Sequence, residues 1–326
     1  MSGDLGPGAC VPGALAVLRS ESGVELLLVG RPAEIEPQLA SLAEPLRARV
    51  RVVAATQVVA MDELPREAIR RKKDSSLRRG LDLVAAGDAA ACVSAGNTGA
   101  LMASAHFVLG MIEGIERPAI AAMIPTDRGQ TLLLDVGANI SATAEQLVQF
   151  AVMGAVIAED LQARERPRVG LLNIGSEAIK GHELVKAAHQ RLLASSLNYV
   201  GYVEGDDICG GTVEVVVTDG FTGNVALKSM EGLARMIGGT VRREFTSSIW
   251  RKLSALTARA ALGGLKARLD PRRYNGASMV GLAGIVIKSH GGADSTAFAQ
   301  AVRLAAVEAR NDVPSQIRAA LKVQAG

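Results

Sequence analysis

Short apolar runs alternate along the chain with longer stretches in which apolar residues recur every three or four positions. The runs are "VELLLVG", "VRVVAAT", "AACVSAG", "TLLLDVG", "RVGLLNIG", "NYVGYVEG", "VEVVVTDG" and "AGIVIKSHG". They are apolar at consecutive positions, as parallel strands are when helices cover both of their faces. This pattern predicts an α/β protein with a doubly wound sheet, an α/β/α sandwich. The intervening segments agree. In "TAEQLVQFAVMGAVIAEDL" the residues Leu147, Phe150, Ala151, Gly154, Ile157 and Leu161 share one helical stripe, and Thr143 and Gln146 stand at capping-box spacing at its start. From about Leu233 to Asn275 the strand pattern lapses, which predicts one or two long helices, a protrusion suited to an oligomer contact. With no fixed-period repeat and no low-complexity linker, residues 1–326 are expected to form a single domain carrying this helical protrusion at about 233–275.

Composition narrows the function classes. A chain of 326 residues, 48% hydrophobic, buries a large core, and with only 3% aromatics that core is Val, Leu, Ile and Ala. So few aromatics argue against stacking platforms for single-stranded nucleic acid. The net charge of +3 leaves attraction for acidic partners to local clusters. Cys10, Cys92 and Cys209 are odd in number and lack zinc or redox spacing, which fits a reducing cytosol and small buried or neutral roles. No apolar run reaches the ~18 to 20 residues of a membrane span. "MSGDLGPGACVPG" lacks a basic segment followed by an apolar one, so no signal peptide and a soluble, cytoplasmic protein are expected.

Five strand ends share a Gly-containing polar turn that opens a helix: "SAGNTGA" at 94, "DVGANIS" at 135, "NIGSEAIKG" at 173, "TDGFTGN" at 218 and "SHGGADS" at 289. Carboxyl ends of parallel strands converge on one crevice. Glycines let backbone N–H groups approach an anion, and helix N-termini add unpaired donors. Taken singly, each turn is also accounted for by ordinary capping. Capping, however, requires neither Lys180, Lys228 and Lys288 nor Asp135 and Asp219, and together these predict one crevice for phosphate or another small polyanion. No dinucleotide or ATP-cradling glycine loop and no nucleophile elbow is present, and "HELVK" lacks the second His of a zinc-protease helix, so no cofactor and no metal are expected. His290 is the one histidine in a crevice turn; His106, His182 and His189 read as helix-surface or capping residues. Without a nucleophile–base pair, the bound anion itself is the expected attacker. Two basic clusters remain, "REAIRRKKDSSLRRG" and the protrusion's "SIWRKLSALTARAALGGLKARL". A charge run is ordinarily a solvated face, but here compensating acids are few, which suits an acidic partner or an anionic bilayer better than nucleic acid.

Jointly, "GDLGP", "RRKKDSSLRRG", "CVSAGNTGALMA", "LLDVGANISATAEQLVQFAVMG", "GLLNIGSEAIKGHELVK", "GYVEGDDICGGTVEVVVTDGFTGNVALKSMEG" and "GLAGIVIKSHGGAD" resemble, over essentially the whole chain, the phosphate acyltransferases of the PlsX family. The resemblance implies a Rossmann-like sandwich related to phosphate acetyltransferases and isopropylmalate-type dehydrogenases. It also implies a homodimer, and peripheral association with the inner face of the plasma membrane. The implied reaction moves a long-chain acyl group from acyl carrier protein to inorganic phosphate, supplying acyl phosphate to a downstream glycerol-3-phosphate acyltransferase. By motif, the catalytic lysine falls on Lys180 and the asparagine on Asn224. Phosphate and thioester contacts are then expected from Ser94, Gly96, Asn97, Thr98 and Gly99; from Asp135, Gly137 and Asn139; from Asp219, Thr222 and Gly223; and from Lys288, Ser289, His290 and Gly291. Carrier-protein docking is expected at Arg70, Arg71, Lys72 and Lys73, and membrane contact at Trp250, Leu253, Leu256, Leu262 and Leu265. The alternatives are a short-chain acyl-CoA phosphate acyltransferase and a non-catalytic lipid- or phosphate-sensing module. At its start the chain departs from the family, which opens with a β-strand before a "GGD" turn. Here Met1 directly precedes "SGDLGP", so that first strand is expected to be missing, with backbone partners of the sheet and the usual setting of Gly3 and Asp4.

Overall fold

The computed structural model describes residues 1–162, 164–177 and 179–325, without the side chains at 261, 265–267, 269 and 325. Its strands are β1 (Leu26–Gly30), β2 (Val50–Ala54), β3 (Ala91–Ser94), β4 (Ala119–Thr126), β5 (Gly129–Leu134), β6 (Val169–Leu172), β7 (Tyr199–Val203), β8 (Val215–Val217), β9 (Ala277–Val280) and β10 (Ile285–Lys288). β1 and β2 pair with each other, while the other eight form one sheet in the order β3-β10-β9-β4-β5-β8-β6-β7.

All eight apolar runs are strands. The sequence pattern missed β4 and β9, which are the two that break the parallel rule: β4 is antiparallel to both β5 and β9, and β9 is antiparallel to β10. "AIAAMIPT" is alanine-rich and contains Pro125, and "ASMV" spans four residues, so neither carries a β-branched run. Three successive reversals separate β10 from β5. β3 and β10 therefore run opposite to β5, β8, β6 and β7.

Each strand sends alternate residues to opposite faces. Leu132, Leu134, Val215 and Val217 pack on one side with Phe150, Ala151 and Ile157 of the helix Ala144–Gln162. Leu133, Val216 and Val286 pack on the other with Leu81 of the helix Ser76–Ala85 and with Leu101 and Ala105 of the helix Thr98–Leu109. Both faces are covered, which is why the strands read as unbroken apolar runs. The capping box is present: Gln146 N donates to Thr143 Oγ1 at 3.1 Å and Thr143 N to Gln146 Oε1 at 3.0 Å. At Gly154 the helix approaches so closely that an added Cβ would stand 2.7 Å from Val215 Cγ1.

One buried carboxylate ties the central strands to the turns above them. Asp135 Oδ1 accepts from the backbone N–H of Ile120, Gly137 and Ala138 at 2.9–3.0 Å, and Oδ2 from Asn139 N at 2.8 Å and Asn139 Nδ2 at 3.0 Å. Asn139 Nδ2 reaches on to Pro118 O at 2.8 Å, and Gly220 N donates to Asn139 O at 2.8 Å. The negative charge is solvated by oriented N–H dipoles in place of water.

β1, β2, β3 and β7 each have one edge without a strand partner among the described residues. Met1 lies against Gly30, Ser2 against Gly96, and Asp4 N donates to Gly291 O at 2.9 Å. The protrusion begins earlier than 233. Its first helix is Gly220–Thr246, capped by Asp219, followed by Ile249–Thr257 and Arg259–Leu269. The capping turn and the helix are continuous, so the glycines of "DGFTG" concealed the true start. Trp250 is 75% exposed, and Leu233, Met236, Ile249, Leu253 and Leu256 are exposed as well; Leu262 is half-exposed. Leu265 lies outside the described side chains. No described helix is long and apolar enough to cross a membrane.

Two predictions follow from buried carboxyls. Asp135→Asn turns one acceptor oxygen into a donor facing N–H groups, and is expected to lower unfolding free energy by at least about 2 kcal/mol in urea titration. Glu308 is a second case: Ser278 Oγ donates to its Oε2 at 3.0 Å, and Oε1 has no partner among the described residues. Burial pushes this carboxyl up to about 8, with the Ser278 hydrogen bond opposing and Asp160 adding to the rise. An unfolded chain releases the proton near 4.5, so stability falls as pH rises between these values. Glu308→Gln is expected to flatten that fall, giving a higher urea midpoint than wild type at pH 8.5 and a closing gap toward pH 4.5.

Candidate active site

The turns of β5, β8 and β6 lie side by side, because these strands are direct neighbours running the same way. On the β8 turn Asp219 caps the long helix, accepting from Thr222 N and Thr222 Oγ1 at 2.9 Å each. Gly223 presses on Asp135 O where no side chain fits. Asn224 follows, half-buried, with no side-chain hydrogen bond among the described residues. Its amide lies against Gly137, where an added Cβ would stand 3.4 Å from Asn224 Cγ and where φ is +131°. The Asp135 network thus shapes the wall on which a free carboxamide rests.

On the β6 turn, Asn173 Nδ2 donates to Gly175 O at 3.0 Å and to Lys180 O at 3.3 Å, folding the segment back on itself. Lys180 is exposed and pairs with Glu177 at 2.8 Å. The Glu177 hydrogen bond holds the ammonium above its ordinary value, so Lys180 is a cation at neutral pH. Lys228, one turn beyond Asn224, is also exposed.

β3 and β10 run opposite to β5, β8 and β6, but the register brings their carboxyl ends level with that of β5: Leu134 pairs with Ala121, Ala121 with Ser278, Ser278 with Ile287 and Ile287 with Val93. Asn97 is consumed by structure: Oδ1 accepts from Ala100 N at 2.9 Å, capping its helix, while Nδ2 donates to Met61 O at 2.8 Å and Glu63 O at 3.0 Å. Ser94 Oγ accepts from Gly96 N, Ser289 Oγ accepts from Asn275 Nδ2, and His290 Nδ1 accepts from Gly292 N. Gly291 is packed by Met61. Lys288 is only 9% exposed and donates through Nζ to Ser289 O. Burial pushes its pKa down to about 8, with Asp4 and Cys10 opposing. This lysine is enclosed, unlike Lys180.

Thr98 and Gly99 reach the first group of turns. A cavity of about 670 Å³ is lined by Thr98, Gly99, Met102, Ala103 and His106 on one side and by Gly137, Ala138 and Asn139 on the other, with Glu116 also in its lining. Arg117 also lines it, exposed and with no ion pair or side-chain hydrogen bond among the described residues. The sequence reading missed Arg117 because "GIERPAI" places it next to an acid, where it reads as an ordinary surface pair. It missed Asn173 as a positioning residue although the "NIG" strand end was in view.

Of the docking cluster, Arg71 pairs with Glu67 at 2.9 Å and Lys72 Nζ donates to Val58 O at 3.2 Å, leaving Arg70 and Lys73 exposed. The helix bearing Arg70 begins at Pro65, which lines the same cavity. All three thiols are pushed up by burial, Cys92 to about 12, so none is primed as a thiolate.

Comparison with known proteins bears on this arrangement. Residues 1–316 match the family described as "Fatty acid synthesis protein". A phosphate acyltransferase of Methylococcus capsulatus is 53% identical over 317 residues, covering 97% of this chain and 94% of its own. One from Nitrosococcus oceani is 51% identical over 322 residues, covering 99% and 95%. In fold, the chain is similar to a phosphotransacetylase from Streptococcus pyogenes (TM-score 0.62, 18% identity, 92% of this chain and 91% of that one). It is also similar to a branched-chain phosphotransacylase from Enterococcus faecalis (TM-score 0.54, 14% identity, 88% and 99%). Matched along nearly its whole length at about half of its positions, the chain belongs to the fatty acid synthesis protein family, among the phosphate acyltransferases.

Proposed function

We propose that the chain transfers a long-chain fatty acyl group from acyl carrier protein to inorganic phosphate, forming acyl phosphate for phosphatidic acid synthesis. The observation that carries this reading is the unengaged Asn224 amide on the Gly137 wall of a largely apolar cavity, with a cationic lysine on the neighbouring turn. Phosphate has a second pKa of about 6, so at neutral pH it needs positioning more than activation. The thiol it displaces has a pKa of about 8.5, which makes the thiolate a tolerable leaving group. A phosphate oxygen attacks the thioester carbonyl, the C–O bond forms, the C–S bond breaks, and the carrier leaves as thiolate. Asn224 donates to the developing oxyanion and Lys180 neutralises the phosphate. The raised thiol pKa values support a scheme with no acyl-enzyme intermediate. Asp135, Asn139, Asp219 and Asn173 hold the turns and do not touch the substrates.

Arg70 and Lys73, near the cavity, suit the acidic surface of a carrier protein. The long helix Gly220–Thr246, with only Gly220 and Gly223 buried, suits a homodimer contact. Trp250, Leu253 and Leu256 among arginines and lysines suit an anionic bilayer. In this reading the protein is cytoplasmic, works at the inner face of the plasma membrane, and hands its product to a glycerol-3-phosphate acyltransferase.

Asn224→Ala and Lys180→Ala are each expected to lower phosphate-dependent thioester turnover by about 10²- to 10³-fold without changing the melting temperature. With phosphate omitted, no acyl label should stay on the protein; a stable Ser- or Cys-linked adduct would overturn direct attack. Competition between acyl carrier protein and CoA thioesters in the same assay is expected to favour the carrier, and preference for short acyl-CoA would select the alternative donor. In flotation, wild type is expected to rise with anionic liposomes and Trp250→Glu to remain behind; wild type that never floats would remove the bilayer from the scheme.

A further inference from the structure

The helix Thr98–Leu109 presents Met102 and Ala103 to the cavity one turn after Thr98 and Gly99, and His106 one turn later. Opposite lie Ile120 of β4 and Ala138 of the β5 turn. The surface formed by Met102, Ala103, Ile120 and Ala138 is apolar. Glu116, which accepts from Gln146 Nε2, also lines the cavity, and at about 670 Å³ the cavity falls within the roughly 300–1,000 Å³ of small-molecule sites. At one wall Gly137 lies against the Asn224 amide. At the rim stands Arg117, a cation without an ion pair among the described residues. This distribution matches a ligand with an apolar tail and an anionic head.

Resting on the acyltransferase reading above, we infer that this cavity seats the acyl chain of the donor along Met102, Ala103, Ile120 and Ala138. Arg117 then faces the anionic end of the reacting complex, and the depth of the cavity sets chain-length preference. The geometry supports this assignment over a phosphate-only site, because an anion would find one cation, Arg117, beside one acid, Glu116, and a mostly hydrocarbon surface there. A carbonyl held at the Gly137 wall lies within reach of Asn224, while the chain beyond it is withdrawn from water. Each methylene so buried contributes roughly 0.8 kcal/mol, about fourfold in binding, so filling the cavity must weaken long chains selectively.

The test uses the full chain with Ala103→Phe and, as an independent filling of the same space, Met102→Trp. Two readouts are taken: the ratio of kcat/KM for hexadecanoyl over butanoyl carrier-protein thioester, and the affinity of a fluorescent polyene fatty acid. In variants whose circular dichroism matches wild type, both the ratio and the affinity are expected to fall by about tenfold or more. If both stay within about twofold of wild type in a folded variant, the cavity is not the acyl subsite. If wild type binds the fatty acid and the variants lose it, but no thioester is consumed with phosphate present, the acyltransferase reading fails while the acyl subsite stands. If the thioester is consumed and the chain-length ratio is unmoved, the reading stands and the subsite falls.

Discussion

The structure hangs on the carboxylate of Asp135. Five hydrogen bonds converge on its two oxygens, joining β4 through Ile120 N, the β5 turn through Gly137 and Ala138, and the Pro118 backbone through Asn139. A buried charge of this kind is tolerable only because every lone-pair direction meets a donor. The consequence reaches the site directly. Gly137 and Asn139 are held so that the N-terminus of the helix Gly220–Thr246 docks against them, and Asn224 is carried against Gly137, a lining residue of the cavity, with no side-chain hydrogen bond among the described residues.

The antiparallel pair β4 and β9 governs the second level. By reversing direction within the sheet, it lets the carboxyl ends of β3 and β10 meet that of β5 from the opposite direction at one level. The helix Thr98–Leu109 starts directly after the β3 turn, and its first residues share one cavity with the β5 turn. A cavity bounded by one helix flank and one glycine turn results. Its polar groups are few and fixed, as recognition of a mostly apolar substrate requires.

The two lysines most easily confused in the sequence differ in physical setting. Lys180 is exposed, paired with Glu177 and held above its ordinary pKa. Lys288 is enclosed by the start of the chain and the β10 turn, and burial lowers it to about 8. Charge stabilisation of a phosphate suits the first. The second lies with side chains already engaged in hydrogen bonds: Asn97 with the Met61 and Glu63 carbonyls, Asn275 with Ser289 Oγ, and His290 with Gly292 N of its own turn.

Eight strands, the helix Ala144–Gln162 with its capping box, and the helical nature of the protrusion were legible in the chain, because burial on both faces and the 3.6-residue repeat are local consequences of residue order. Lys180 and Asn224 were singled out through motif resemblance. Strand polarity was not legible. "AIAAMIPT" and "ASMV" carry no β-branched run, and direction within a sheet depends on partners distant in sequence. Nor could the sequence separate Asn97, whose amide is spent on capping and on carbonyls more than thirty residues away, from Asn224, whose amide has no hydrogen bond among the described residues. Both stand in Gly-Thr-Asn turns of the same grammar. The difference lies in what the packed chain brings to each side chain, since a hydrogen bond or an ion pair has no address until the partner arrives in space. Arg117 makes the same point in reverse: beside an acid in the sequence, it stands without an ion pair among the described residues at the rim of a cavity that exists only in the folded chain.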